Sequence, residues 1–332
     1  MNRRIVLATR PSGMVDEATT RLEQSPDPEP GPGQALVNVR YLSMDPTIRT
    51  WMDDAPGYLP PIGIGETVRG AGVGEVVRSK SDQYAVGDLV VGLTGWQDYV
   101  LADEGAAAMR VIPPGIEPLM VLSVLGVTGM TAYFGMIDVG RVIEGDTVVV
   151  SGAAGATGSV AGQIARIKGA TTVVGIAGTA EKCAWIVDEL GFDAAINYKT
   201  DDVAGSLRSL CPGGINLYYD NVGGEILDFC LAQLAMRGRI VLCGAISVYN
   251  AKSRPPGPRN IFNLIIKRGR MEGFLVLDYL DRFLEAQIDM VGWLAENKVK
   301  HAEHLVDGLE HAPEALNLLF TGGNTGKVIV KL

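Results

Sequence analysis

Residues 147–182 constrain this chain more than any other stretch. A β-branched run at 147–150 stops at a turn of small residues, Ala153-Ala154-Gly155-Ala156-Thr157-Gly158. An amphipathic stretch follows over 158–168, with Val160, Ile164 and Ile167 at helical spacing, and a second apolar run spans 171–176. Strand, turn, helix, strand in that order is the first βαβ unit of a dinucleotide-binding sheet. The turn matches the G-x-G-x-x-G fingerprint with Ala153 in place of its first glycine. Small residues are needed there because the backbone must turn sharply and approach a pyrophosphate, which then meets the N–H groups and positive dipole end of the following helix. Ala153, Gly155, Ala156, Thr157 and Gly158 are therefore expected to hold a pyrophosphate.

The same stretch points to one dinucleotide. A carboxylate about 20 residues past the fingerprint ordinarily holds the ribose 2′-hydroxyl of NAD. Residues 175–180 contain no Asp or Glu, and Lys182 stands just beyond them. A missing carboxylate beside a cation suits a 2′-phosphate, so NADP(H) is the expected cofactor.

Composition narrows the classes. At 332 residues the chain is long enough for two domains, and 47% apolar residues can fill sizeable cores. The formal charge of −9 argues against nucleic-acid or membrane-surface binding. No window is long and apolar enough for a membrane span, and the N-terminus does not read as a signal peptide. Cys183, Cys211, Cys230 and Cys243 form no C-x-x-C pair, which suggests a reducing, cytoplasmic setting. Residues 1–182 contain neither Cys nor His, so a zinc site in that half would lack its usual ligands, and no metal is expected. His301 and His304 are spaced to share a helix face, and with no third ligand they read as surface residues.

Residues 1–125 look β-rich, with short runs at 35–39, 72–77, 89–93 and 96–102 separated by Gly, Pro and Asp. Pro26, Pro28, Pro30 and Pro32 mark an extended loop. The imperfect alternation of these runs fits a small barrel. Residues 119–136 read as a long buried helix, broken near Gly126–Gly129, that bridges the domains. Strands are then expected at 147–150, 171–176, 194–197, 215–219, 239–243 and 271–276, with helices at 159–167, 179–190, 203–210, 225–234 and 260–267. That alternation is a doubly wound parallel sheet. A helix at 281–297, another at 312–319 and a strand at 327–332 follow, and this tail is expected to rejoin the first domain. The domains are thus 1–125 with 300–332, and 126–299.

The motifs, taken in order, resemble the medium-chain dehydrogenase/reductase superfamily, and within it the zinc-independent branch of prostaglandin reductases and alkenal double-bond reductases. They are Ser43-Met44-Asp45-Pro46-Thr47-Ile48-Arg49, Gly129-Met130-Thr131-Ala132-Tyr133, the turn at 153–158, Gly178-Thr179-Ala180-Glu181-Lys182 and Asn197-Tyr198-Lys199. Tyr219-Asp220-Asn221-Val222-Gly223-Gly224, Cys243-Gly244-Ala245-Ile246-Ser247 with Tyr249-Asn250, and Gly323-Asn324-Thr325-Gly326-Lys327 complete the set. The resemblance implies a Rossmann-type sheet joined to a GroES-like barrel that the C-terminal tail completes. It also implies that Lys182 and Tyr198 flank the 2′-phosphate and its ribose. Asn221 would approach the nicotinamide side. Cys243, Gly244, Ala245, Ile246, Ser247, Tyr249, Phe274 and Val276 would line the cofactor, and Asn324 would reach back from the tail. Cys243 reads as a small buried residue offering backbone contacts.

The activity this resemblance implies is NADPH-dependent reduction of the carbon–carbon double bond of a small hydrophobic enone or enal. Hydride reaches the β-carbon, charge collects on the carbonyl oxygen, and a donor such as tyrosine stabilises the enolate while a proton reaches the α-carbon. Tyr249 is the leading candidate, and Tyr58, in Gly57-Tyr58-Leu59-Pro60-Pro61, is a weaker one. Asp45 and Arg49 are expected to hold their loop. Met44, Trp51 and Met52 could line an apolar pocket, and Pro255-Pro256-Gly257-Pro258 could stiffen a loop over the site. Two alternatives stay open: a zinc-free quinone reductase and a non-catalytic NADPH-binding protein. A homodimer through the edge strand at 271–276 is also implied.

Overall fold

The computed structural model describes residues 1–105, 108–253 and 255–332. The chain resolves into two compact units, Met1–Leu122 with Glu303–Leu332, and Ser123–Ala302.

The first unit begins with an antiparallel pair, β1 (Asn2–Leu7) and β2 (Thr20–Ser25). β3 (Gln34–Ser43) is its longest strand and its hub. After a short helix, α1 (Thr47–Trp51), come β4 (Ala71–Ser79), β5 (Leu89–Leu93), β6 (Tyr99–Asp103) and β7 (Arg110–Val111). β3 pairs with β4 along one edge and with β6 along the first half of the other. Its ladder to β4 slips register between Leu36 and Val37 and again between Val39 and Tyr41. Such irregularities bend a strand, and the bend lets one strand serve several partners in a curled sheet. Beneath it pack Ile5, Leu7, Leu42, Met44, Ile48, Met52 and Trp96. Trp96 precedes β6 rather than starting it. Its N–H donates to Val68 O (2.9 Å) and its carbonyl accepts from Ile5 N–H (2.9 Å), so it is a buried cross-link between segments.

The second unit opens with α2 (Val127–Phe134) and continues through a widened π turn, Gly135–Val139. The long helix expected over 119–136 is therefore shorter. Gly126 is extended at its start (φ −100°, ψ −162°), and the preceding turn folds back so closely that a Cβ on Gly129 would stand 1.8 Å from Val124 O. The alternating elements follow: β8 (Thr147–Ser151), α3 (Ala156–Ile167), β9 (Thr172–Ala177), α4 (Ala180–Asp188), β10 (Ala194–Asn197), α5 (Val203–Leu210), β11 (Ile215–Asp220), α6 (Gly224–Ala232), β12 (Leu234–Leu242), α7 (Asn263–Lys267), β13 (Arg270–Gly273) and α8 (Phe283–Ala295). The sheet order is β10-β9-β8-β11-β12-β13, all pairs parallel. It is the doubly wound sheet expected, and strand order reverses between β8 and β11. Ligands of such sheets bind at that switch, outside the carboxyl ends of the strands. Val149, Val174, Ile176, Ile196, Tyr218 and Ile240 pack in one of its cores with Leu207, Leu227 and Leu231 of the helices.

The last strand is shorter than the expected 271–276. Gly273 lies opposite Leu242, the end of β12, so the ladder has no partner beyond it. Phe274 instead turns its ring onto Gly135 and edge-on to Tyr279, and Val276 begins a 3₁₀ turn, Val276–Arg282.

The tail supplies β14 (Glu303–Asp307), α9 (Ala312–Thr321) and β15 (Lys327–Lys331). β15 pairs with the second half of β3, so the tail completes the first unit's sheet. His304 lies in β14 and His301 precedes that strand, so the two share no helix face, and both are partly buried.

Candidate functional site: the carboxyl ends of the parallel sheet

At the end of β8 the chain turns at Gly152, which takes a left-handed conformation (φ +59°) that only glycine adopts freely. Sequence reasoning placed the tight turn one residue later, at Ala153, which is instead fully buried beside Gly175. Gly155 caps α3, and Ala156 and Thr157 form its first turn. A Cβ on Gly158 would lie 2.3 Å from Gly152 O, and one on Gly155 3.2 Å from the same atom. The turn and helix therefore pack backbone to backbone. No acidic residue occupies the first turn, and the N–H groups there are those a helix leaves unpaired. This cradle fits a pyrophosphate.

Two strands along, β9 and β10 run parallel with Ala177 opposite Asn197. The next residues, Gly178 and Tyr198, therefore lie side by side. A Cβ on Gly178 would be 3.0 Å from the Tyr198 ring, so the position where NAD-binding sites carry a carboxylate is bare backbone under a tyrosine. Thr179 caps α4 by accepting Lys182 N–H at Oγ1 (3.2 Å), which places Lys182 in the first turn. Lys182 is half-buried, and burial, then Lys199, lowers its pKa from the ordinary lysine value. Lys199 Nζ stands 5.9 Å over the Tyr198 ring. Lys199 was missed in sequence because its place beside Lys182 depends on strand register. The residue types fit a 2′-phosphate, a dianion between two cations.

At the switch point, β11 ends in Asp220. Asn221 packs against the phosphate turn, with its Cβ 3.5 Å from where a Cβ on Gly152 would be, and its Nδ2 donates to Ser151 O (2.7 Å). The segment 243–247 is laced to this end: Ile246 N–H donates to Asn221 O (3.2 Å) and Ser247 N–H to Val222 O (3.1 Å). The structure thus brings together the phosphate turn, Asn221 and Cys243 through Ser247. Cys243 is partly exposed rather than buried as expected, and desolvation of its thiol pushes it up to about 12. Phe274 and Val276 follow β13 at the next position of the sheet edge. Asn324 belongs to the other unit, where its Nδ2 donates to Gly326 O (2.9 Å) within its own turn.

Tyr249 directly follows a 3₁₀ turn, Ile246–Val248, and its hydroxyl accepts Ala245 N–H (3.1 Å). Its ring lines a cavity of about 800 Å³ together with Gly223, Phe229, Val248 and the proline loop Pro255–Pro258. Tyr58, on the first unit, is half-exposed; its hydroxyl meets Thr47 Oγ1 and its ring meets Trp51 edge-on. Burial raises its pKa above the ordinary tyrosine value.

Asp45 and Arg49 are both engaged. Asp45 accepts from Ser43 Oγ (2.5 Å) and pairs with buried Lys327 Nζ (2.5 Å). Buried Arg49 donates to Gly13 O (2.8 Å) and Asp53 (2.7 Å). Met44 and Met52 are core residues of this unit, with Trp51 packed against them. Among the described residues no three or more His, Cys, Asp or Glu side chains cluster closely enough to hold a metal ion, so the donors present do not fit zinc. Also among the described residues, no helix is long and apolar enough to cross a membrane.

Known proteins resemble this chain along nearly its whole length. Residues 3–111 match the model of the N-terminal domain of oxidoreductase, and residues 156–292 match that of zinc-binding dehydrogenase. The chain is 42% identical to the NADPH-dependent curcumin reductase of Escherichia coli (strain K12), over 100% of this chain and 97% of that one. It is 39% identical to the NADP(+)-dependent 2-alkenal reductase of Nicotiana tabacum, over 90% and 88% respectively. A crystal structure of CurA from Vibrio vulnificus in complex with NADPH superimposes with a TM-score of 0.94 at 44% identity, covering 99% of this chain and 98% of that one.

Proposed function

Because this chain belongs to the medium-chain dehydrogenase/reductase superfamily, we propose that it reduces the carbon–carbon double bond of α,β-unsaturated ketones and aldehydes. It is an NADP-dependent oxidoreductase. The observation that carries the finer reading is Tyr249. Its phenolic oxygen is held by Ala245 N–H beside the 243–247 segment, and its ring faces a cavity. A tyrosine can donate a hydrogen bond to a substrate oxygen without carrying charge.

When bound, NADPH supplies a hydride. The turn at 152–158 binds its pyrophosphate, Lys182, Lys199 and Tyr198 bind its 2′-phosphate, and Asn221 with 243–247 orients its nicotinamide end. Reduction at the substrate's β-carbon moves charge to the carbonyl oxygen. Tyr249 donates a hydrogen bond to that oxygen, and a proton from Tyr249, restored from solvent, reaches the α-carbon to complete the reduction; lost donors of this kind typically cost about 10²-fold or more in rate. Phe229, Val248 and the proline loop line the cavity that would take the substrate's apolar part. We infer also that the protein is a cytoplasmic homodimer.

The test is NADPH oxidation followed by absorbance against an enone, an enal, a quinone and a saturated aldehyde, with NADH in parallel. Turnover confined to the enone and enal is expected, with NADPH preferred. Tyr249→Phe is expected to lower kcat on the enone by about 10²-fold with NADPH affinity retained. Turnover of the quinone alone would replace this reading with a quinone reductase, and binding without turnover would leave a non-catalytic NADPH-binding protein.

A further inference from the structure

Asp220 is a buried titratable group with no part in the chemistry above. It ends β11, it is fully buried, and its carboxyl group is used on one side only. Oδ1 accepts Ser151 Oγ–H (3.1 Å), Tyr218 O–H (2.7 Å), Val222 N–H (3.0 Å) and Gly223 N–H (2.8 Å). Oδ2 has no partner among the described residues. The main-chain carbonyl of the same residue accepts Cys243 N–H (2.9 Å) and Gly244 N–H (3.0 Å). Ser151 closes the circuit, since its Oγ also accepts Asn221 N–H (3.0 Å). Ser151 is the residue before Gly152, where the phosphate turn begins, and Asp220 stands across the switch point from it. One residue therefore touches all three segments that meet at the site, beside the direct links Asn221 makes to Ser151 O and Ile246 N–H. Its carboxyl group reaches β8 and the 222–223 turn, and its carbonyl reaches the start of 243–247.

We propose that Asp220 is a positioning residue that locks the phosphate turn, Asn221 and the 243–247 segment into a single seam, so that a cofactor gripped at one end presents its nicotinamide correctly at the other. The proposal rests on the cofactor reading given above. Its physical basis is that hydride transfer tolerates little misalignment, a shift of about 1 Å costing on the order of 10²-fold in rate. A seam closed by hydrogen bonds to one oxygen also explains the use of a side chain with several lone pairs there. An amide oxygen accepts the same donors, so asparagine should serve where alanine cannot.

The experiment uses the full chain with Asp220→Ala, Asp220→Asn and Ser151→Ala. For each it measures thermal stability, kcat and KM on an enone, NADPH affinity by fluorescence, and affinity for 2′,5′-ADP. The last ligand carries the 2′-phosphate and one phosphate for the turn but lacks the nicotinamide half, so loss of alignment between the two ends leaves its affinity alone and general damage does not. D220A is expected to lose about tenfold or more in kcat while binding 2′,5′-ADP as the unsubstituted protein does. D220N should recover to within about threefold, and S151A, which cuts the Ser151 Oγ links to Asp220 Oδ1 and Asn221 N–H while leaving the other donors to Asp220 in place, should fall between. D220A with unchanged kcat and NADPH affinity would overturn the proposal. So would D220N as impaired as D220A, or equal losses for 2′,5′-ADP and NADPH. If D220A does not fold, S151A decides, and unchanged kcat and NADPH affinity in S151A would then overturn it. If the unsubstituted protein reduces no enone, the functional reading fails, and the NADPH and 2′,5′-ADP affinities still test the seam.

Discussion

Lys199 follows Tyr198 at the end of β10 and stands over its ring, while Lys182 occupies the first turn of α4 across the bare Gly178. Two cations held together repel each other, and the lowered pKa of half-buried Lys182 records both its burial and that repulsion. A phosphate dianion placed between them reverses the sign of the interaction. Lys182→Ala is therefore expected to raise KM for NADPH by roughly tenfold, the equivalent of about 1.4 kcal/mol, and Lys199→Ala by roughly threefold to tenfold. KM for NADH should stay put in both variants. Steady-state kinetics with the two cofactors checks this, and a loss that falls equally on NADH would remove the assignment. Lys182 and the absent carboxylate were legible in the sequence because they lie at a set distance along one βαβ unit. Lys199 and Gly152 were not. Lys199 gains its role from the register of two parallel strands, and Gly152 from a backbone angle that its residue type permits but does not announce.

The elements that were legible are those with apolar runs bounded by Gly, Pro or Asp, above all the parallel strands, whose burial on both faces leaves continuous Val and Ile. The elements missed or misread are those set by tertiary contact. β1 starts with a polar run, Asn2-Arg3-Arg4, and is a strand because β2 pairs with it. Residues 274–276 look like strand, but their neighbour β12 has already ended. Residues 119–126 are apolar enough for a helix and form turns instead, while the break expected near Gly126–Gly129 is present, α2 starting after extended Gly126. Close packing of this kind also makes a prediction between neighbouring βαβ units. A Cβ on Gly162, midway along α3, would meet the Phe192 ring at 1.9 Å, and Phe192 is buried beside Gly175. Gly162→Ala is expected to destabilise the protein by about 1–3 kcal/mol through overpacking, despite alanine's better helix propensity. Phe192→Leu should recover part of that loss in the double variant, a coupling that single-site propensity would not produce. Denaturant midpoints for the single and double variants measure it, and strict additivity would rule the contact out as the cause.

At the scale of the whole molecule, two compact units and a sheet with open ends remain to be related to the state in solution. The order of the parallel sheet leaves β13 on one edge. The approach to that strand carries Ile261, Phe262, Ile265 and Ile266, all exposed, with Phe262 at 63% and Ile265 at 70%. Single exposed apolar residues are ordinary, but a cluster of them on a short helix beside an unpaired strand edge calls for a covering surface. β13 itself is short and carries Arg270 and Glu272, paired at 3.3 Å. Charge on an edge opposes open-ended strand addition, which favours a closed two-fold pairing of identical edges over a growing stack. The expected state is therefore a homodimer in which α7 and β13 meet their own copies, burying on the order of 800 Å² per partner. Ile265→Glu should shift the mass measured by light scattering from dimer to monomer. NADPH affinity should change by less than about threefold, because the substitution lies outside the groups that hold the cofactor. A monomeric mass for the unsubstituted chain at micromolar concentration would refute the pairing. A dimer that survives Ile265→Glu would move the interface to another apolar surface, for which exposed Leu284 and Ile288 on α8 are the next residues to change.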